Sequence, residues 1–373
     1  MKLLLVNSVC GVGSTGRIAS GIAAYYEDQG WDVKFAYGRL GYVPTECNKW
    51  AVRIGVDLSV KWHAVLTRLF DWHGSGICSW YATKRFLKWV EEWQPNVIWL
   101  HNIHGYYLNY ELLFLWIKRH PEIEVKWTLH DCWAFTGHCA NFTFLNCSCW
   151  ENGCNKCLGK RGYPSSYVVS SSRRNWECKR RAFCGVKNMS LVSPSIWMAN
   201  LIRKSFLKDY PIEVVHNTVD LSVFKYRPSD FRERMGLTKK TVILGVSNVW
   251  DEKKGLFDFF KLRRLLDSKY TIVLVGLDAH QLLNLPEGII GIKRTNDSKE
   301  LAEIYSMADW FFNPTHEDNY PTVNLEAKAC GCRIVTYNTG GCSETVQGYD
   351  RAWVLRGADM MPEGLVDVIL KNQ

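Results

Sequence analysis

Short apolar runs alternate with longer stretches of helical period along the whole chain. KLLLVNSV is followed by GRIASGIAAYYEDQG and WDVKFAYG, and NVIWLHN, EVKWTLHD, MSLVSPS, TVILGVSN, YTIVLVG, DWFFNPT and CRIVTYN continue the series. Runs that are apolar at nearly every position predict strands buried on both faces, and helices between them predict parallel crossovers. The rhythm breaks at IEVVHNTVDLSVFKYRP, residues 212–228, and resumes at Thr241. At 373 residues the chain exceeds one ordinary core. The pattern therefore predicts an α/β protein of two doubly wound, Rossmann-like parallel-sheet domains facing across a cleft, with ligands outside the carboxyl ends of the strands. The expected spans are 1–215, with a cysteine-rich insertion near 132–165, then 216–360, and a last helix at 361–373 that returns to the first domain.

The first strand runs into Gly11, Gly13 and Gly16, spaced as G-x-G-x-x-G before a helical stretch. An NAD site requires an acid at the end of the second strand, and Gly38 and Arg39 stand there instead. Two readings stay open. The glycines serve a tight strand-to-helix turn, or the amides around Ser14 to Arg17 hold an anion of another kind.

The stretch NPTHEDNYPTVNLEAKACGC, from Asn313, reads as loop, helix and strand. Pro321 suits a helix's first turn, Asp318 or Asn319 supplies a polar cap, and Gly331 suits the helix end. The amides of Thr322, Val323 and Asn324 then lie at a positive dipole end, a ready phosphate site. Asp318 and Glu326 flank it, eight positions apart.

Charge and cysteines add to this picture. Residues 1–200 hold 23 Lys+Arg against 14 Asp+Glu, and the remainder 23 against 23, so the net +9 is N-terminal. A basic half with interleaved Trp predicts nucleic acid, anionic lipid or a phosphorylated substrate as partner, or else a solvated face. Lys61, Trp62, Arg68, Lys84, Arg85, Lys88 and Trp89, in two helical segments joined by DWHGSG, could dock on anionic headgroups. No apolar run reaches transmembrane length, and Leu3 to Val6 is too short for a signal segment. The expected location is the cytoplasm, at most peripheral at the inner face of the plasma membrane. The chain's 14 cysteines then read as thiols or metal ligands. Cys139, Cys147, Cys154 and Cys157, with Cys149 as substitute, have the makings of a structural zinc site, and buried reduced thiols are the alternative.

The stretch from Asp318 to Gly331 resembles a known signature. An acid, seven residues, then Glu followed by Ala-x-Ala-Cys-Gly is similar to the signature of family-four glycosyltransferases of GT-B architecture. The resemblance extends through the early glycine loop, LHNIHGYYLN, TLHDCWAFTGHC, HNTVD with Phe224, and WDEKKG. It is strongest to the subgroup that builds bacterial colanic-acid, O-antigen and capsular polysaccharides. The resemblance implies a hexosyltransferase-type reaction from a nucleotide sugar to a hydroxyl of a growing, lipid-diphosphate-linked glycan, with retention of configuration and no catalytic cofactor. It makes 1–215 the acceptor side and 216–360 the donor side. It implies catalytic roles for His130 and Asp318, donor contacts from Gly16, Lys254, Asn319, Tyr320, Thr322, Val323 and Glu326, and acceptor-side roles for His101, Asn102 and His104. Read alone, Lys254 in DEKK is a surface cation and His130 a hydrogen-bonded strand-end histidine.

Two departures are visible. Asp318 stands where the family has Glu, followed by Asn319-Tyr320-Pro321 instead of a glycine-rich loop, and Asn248 or Val249 stands near the family's expected Arg. Two other classes remain as alternatives: a GT-B-like nucleotide-sugar epimerase, and a basic zinc-containing nucleic-acid-binding protein, although no RNA or DNA motif appears.

Overall fold

A computed structural model describes residues 1–39, 42–155, 157–295 and 297–372. The chain divides into two units, Met1–His216 and Asn217–Gln373. Seven strands form the sheet of the first unit: β1 (Lys2–Asn7), β2 (Asp32–Tyr37), β3 (Ala51–Arg53), β4 (Val97–Leu100), β5 (Glu124–Thr128), β6 (Met189–Ser193) and β7 (Ile212–Val214). Their spatial order is β3-β2-β1-β4-β5-β6-β7. Six form that of the second: β8 (Thr241–Val246), β9 (Tyr270–Val275), β10 (Ile289–Ile292), β11 (Trp310–Asn313), β12 (Arg333–Tyr337) and β13 (Ala352–Leu355), in the order β10-β9-β8-β11-β12-β13.

Every strand pair is parallel. The reason is legible in the strands themselves. In KLLLVN five of six residues are buried and in YTIVLV all six, so both sheet faces are covered. In each sheet the order reverses once, between β1 and β4 and between β8 and β11. At such a reversal the loops leaving the two neighbouring strands part to opposite faces and leave a crevice at the carboxyl end.

Three expectations need revision. The segment 212–228, read as a break, begins with the edge strand β7. The C-terminal helix Pro362–Lys371 packs on the helix Leu256–Leu265 and on β13 of its own unit. Trp89, read as a headgroup anchor, is packed against the first unit's core, stacked between Phe86 and Trp93.

Leu365 is fully buried in that helix packing. Leu365→Ala is expected to lower the second unit's stability by roughly 2–5 kcal/mol through the cavity it leaves. Urea unfolding measures this, and an unchanged midpoint would show that the helix is not docked there.

Candidate active site

In the second unit the site is built by two loops at the β8/β11 reversal. The loop after β8 ends at Gly255, whose positive φ of 75° starts the helix Leu256–Leu265, and a Cβ there would lie 2.4 Å from the Pro314 carbonyl oxygen. Only glycine lets this loop lie against the one that follows β11. The two loops are then laced together. The His316 amide donates to the Lys253 carbonyl (2.7 Å), and His316 Nε2 meets Asp258 Oδ2 at 2.8 Å. Lys253 Nζ donates to Glu317 Oε2 (2.5 Å), a carboxylate that is itself buried.

Lys254 belongs to this lacing and is not a free surface cation. Its ammonium donates to Asp318 Oδ2 at 2.6 Å and to the Glu317 carbonyl at 3.2 Å, with about a third of the side chain exposed (34%). Burial pulls its pKa down, but the Asp318 carboxylate outweighs that and holds it above the ordinary lysine value. The lysine is therefore a fixed positive charge at neutral pH.

The helix Thr322–Ala329 follows at once. Its N-cap position is Pro321, so neither Asp318 nor Asn319 stands at the cap itself. Asp318 is turned to Lys254, and the Asn319 carbonyl accepts from the Gly341 amide (2.9 Å). The Asn324 amide donates to the Pro321 carbonyl (3.3 Å), and the first turn presents its positive dipole end to the loop. Asn324 is buried and braced by Asn313 (2.9 Å) and Thr345 (2.8 Å), which fixes the helix start against β11. Glu326 is buried one turn in and accepts from the Tyr305 hydroxyl at 3.0 Å. Tyr320 is buried before the helix, its phenol pushed up to about 12 by burial and the Glu344 carboxylate. A cavity of about 720 Å³ lies at the opposite edge of this sheet, where Thr241, Tyr270, Trp310 and Arg333 begin their strands. Ligands of doubly wound sheets bind at the carboxyl edge, so we place the site at the loops and not in that cavity.

The first unit also gathers its polar groups at a reversal. Gly11 and Gly13 take positive φ in the loop after β1, and the helix Gly13–Asp28 has no side-chain cap. A Cβ on Gly16 would sit 3.1–3.2 Å from Val9, so this glycine brings the helix close to the loop. Asn7, fully buried, donates to the Val9 carbonyl (2.8 Å) and accepts from the Asn102 amide (3.1 Å), tying the glycine loop to the end of β4. His101 Nδ1 and His130 Nε2 are 2.9 Å apart with stacked rings, and His104 Nε2 contacts Asp131 Oδ2 at 2.8 Å. The structure thus joins the histidine read as catalytic to one read as acceptor-side. Burial pushes His130 down to about 4 and His101 well below the ordinary value, so both rings are neutral at pH 7.

A further cluster had no sequence signal. Asp71 Oδ1 accepts from His73 Nε2 (2.6 Å) and His138 Nδ1 (2.7 Å), while its Oδ2 accepts from the Ser171 amide (2.7 Å). These ligand atoms lie within 4.8 Å of one another, but both rings turn an N–H to the carboxylate. Sixty-seven positions separate Asp71 from His138, which is why no local motif revealed it. Glu317, His316 and Lys253 were missed because the acid signature starts one residue later.

Solved structures place this architecture. The chain superposes on sucrose-phosphate synthase from Thermosynechococcus elongatus with a TM-score of 0.67 and 14% identity, over 99% of this chain and 89% of that one. The two doubly wound units have the GT-B fold. Residues 229–371 match the family described as "Glycosyl transferases group 1", so the second unit is a domain of that family, as the family-four resemblance implied. Two curated relatives are similar to the chain. One is the putative colanic acid biosynthesis glycosyl transferase WcaC of Escherichia coli (24% identity; 68% of this chain, 62% of the relative). The other is the N,N'-diacetylbacillosaminyl-diphospho-undecaprenol alpha-1,3-N-acetylgalactosaminyltransferase of Campylobacter jejuni (26%; 45% and 43%). The match thus spans less than two thirds of either relative's length.

The buried histidines make stability depend on pH. Burial holds His130 and His73 each at about 4, against about 6.5 in an unfolded chain. The unfolded chain therefore binds more protons as pH falls through this window. Stability is complete above about pH 6.5 and is lost toward pH 4. Urea midpoints of the first unit are expected to fall across that range, with a shallower fall in His130→Asn. A flat profile would contradict the neutral, buried rings.

Proposed function

We propose that the protein transfers a sugar from a nucleotide-sugar donor to a hydroxyl of a growing, lipid-diphosphate-linked surface glycan, with retention of configuration. The observation that carries this is the fixed charge of Lys254, held by Asp318, next to the start of the helix Thr322–Ala329 at the β8/β11 reversal of a group 1 glycosyltransferase domain. As the glycosidic bond to the donor breaks, the leaving diphosphate gains charge. Lys254 and the amides of Thr322 and Val323 stabilise it electrostatically, with no divalent cation required.

In this reading Asp318 holds Lys254 in place and contacts the sugar together with Asn319 and Tyr320. Glu326, oriented by Tyr305, takes the ribose hydroxyls. Gly16 lets the first unit's helix amides approach the donor. His130, neutral and hydrogen-bonded to His101, contacts the sugar, and His101, Asn102 and His104 shape the acceptor side. The relative from C. jejuni, whose name specifies a diphospho-undecaprenol-linked acceptor, supports a lipid-linked acceptor here.

Such an acceptor lies at a membrane surface, and among the described residues no helix is long and apolar enough to cross one. We assign the docking to one face of the helix Asp57–Phe70. Leu58, Trp62, Val65 and Leu69, at i, i+4, i+7 and i+11, are exposed, with Lys61 and Arg68 exposed beside them, while His63 and Thr67 face inward. An apolar stripe flanked by cations suits an anionic interface.

Two measurements test these readings. Nucleoside diphosphates and their sugars are to be screened for thermal stabilisation, since a ligand of the folded state alone raises the melting temperature. Lys254→Ala and Glu326→Ala are each expected to lose on the order of 1.5–3 kcal/mol of donor binding or turnover, with the ligand-free melting temperature as control for folding. Unchanged donor use in both would remove the site. Sedimentation with anionic vesicles is expected to succeed at low salt, weaken at high salt and fail for Trp62→Ser/Leu69→Ser. Equal behaviour of both proteins would refute the docking face.

A further inference from the structure

The four thiols expected to hold zinc do not gather: among the described residues no three of them lie within 4.8 Å of one another. What the cysteine-rich segment does bring to the first unit's strand ends is Tyr163. Its hydroxyl is 3.3 Å from His104 Nδ1, and the two rings pack edge to face with centroids 5.7 Å apart. On the far side of the same imidazole, Nε2 lies 2.8 Å from Asp131 Oδ2. With the carboxylate accepting from Nε2, the neutral ring's Nδ1 is left to accept, and the Tyr163 hydroxyl donates to it.

Arg39 reaches the same place from the end of β2. Its amide donates to the Ser8 carbonyl (2.8 Å), which ties it to the loop after β1. Its side chain then crosses Gly105, just beyond β4. A Cβ there would lie 3.1 Å from Arg39 Cδ, 3.4 Å from Ser8 Cβ and 3.6 Å from the Tyr163 hydroxyl oxygen. The next residue, Tyr106, holds a left-handed φ of 72°, which few residues other than glycine adopt. Its ring lies 5.8 Å from the Arg39 guanidinium and edge-on to Tyr163 (6.1 Å). Backbone strain of this kind concentrates at functional sites.

The charge of Arg39 is not taken up by a neighbouring acid. Among the described residues no carboxylate pairs with it, and Asp131 is engaged by His104 and by the Trp133 amide (2.9 Å). A second cation stands close by. Burial raises the Tyr106 phenol, and the charges of Arg39 and Arg68 both pull against it. Arg68 belongs to the helix Asp57–Phe70, whose inward-facing His63 packs edge-on against Tyr106 (5.8 Å). The cluster therefore lies directly behind the face assigned above to the membrane surface.

We propose that Arg39, presented by Tyr106 and Tyr163 beyond the ends of β1, β2 and β4, is the cation that binds the diphosphate of a lipid-linked acceptor. The inference rests on the acceptor class proposed above and names the residue that recognises it. A guanidinium lying on an aromatic ring keeps its edge N–H groups for a phosphate, which it meets bidentately. Tyr163 is a positioning residue: fixed by His104 and Asp131, it holds the ring and hydroxyl against which Arg39 lies.

The probe is farnesyl diphosphate, with farnesol as its uncharged counterpart, and binding to the full chain is read by thermal stabilisation. The diphosphate is expected to stabilise the wild type and farnesol is not. Arg39→Ala is expected to bind the diphosphate about tenfold more weakly or worse. Tyr163→Phe, which keeps the ring and removes the hydroxyl, is expected to weaken it several-fold, and it supplies a reading if Arg39→Ala does not fold. In transfer assays Arg39→Ala raises the acceptor KM and leaves the donor KM unchanged, a split that a merely structural role would not give. Equal binding of farnesyl diphosphate by wild type and both variants would overturn the proposal. So would equal stabilisation by farnesol, or loss of nucleoside-diphosphate binding in Arg39→Ala, which would place Arg39 on the donor. Failure of every nucleoside diphosphate to stabilise the wild type would instead remove the proposed function, and the farnesyl diphosphate result would still stand.

Discussion

A parallel sheet covered by helices on both faces has no open face on which to hold a ligand. Both units obey this constraint, since the interior strands β1 and β9 are buried almost throughout. Chemistry can appear only where backbone leaves the sheet, and the loops part most at the reversal of strand order. Asn7, His101 and Asn102 sit at one reversal, Asn313, Lys254 and Asp318 near the other. What the protein can bind is therefore decided by loop residues, and the strands decide only where those residues stand.

At the second reversal the loops are held by charge. Lys253 and Lys254 engage Glu317 and Asp318 in adjacent pairs, so two cations and two carboxylates share a small volume. Partly exposed pairs of this kind contribute little to stability on their own. Their consequence is positional. In the proposed function, a diphosphate beside Lys254 would meet a charge already fixed in place, which is the condition for electrostatic preorganisation.

The sheets were legible in the sequence because fully buried strands leave a continuous apolar signature, and the resumption at Thr241 coincides with the first residue of β8. The donor helix was legible because its acids, prolines and glycines carry local backbone meaning, as Gly331 does with φ 83° just past the helix end. What failed did so where partners are distant in the chain. The N-cap is Pro321 and not Asp318, whose carboxylate bonds a lysine sixty-four residues upstream. Trp89 was misread because indoles that anchor at membranes and indoles that fill cores share one composition, and only the packing against Phe86 and Trp93 separates them.

The first unit's interior shows the same dependence on distant pairing. Asp71 bonds the rings of His73 and His138 and the amide of Ser171, so one carboxylate joins the end of a helix to both ends of the cysteine-rich segment. Lys179 adds two carbonyls from the beginning of that segment. Buried polar groups are costly unless satisfied, and here satisfying them fixes where an irregular loop begins and ends. Between those ends the aromatic pair Phe142 and Trp150 supplies apolar burial, and Cys139 and Cys157 lie 3.8 Å apart. The hydrogen bonds of His73 and His138 thus hold the loop, while His101 and His130 pair with each other beyond the ends of β4 and β5.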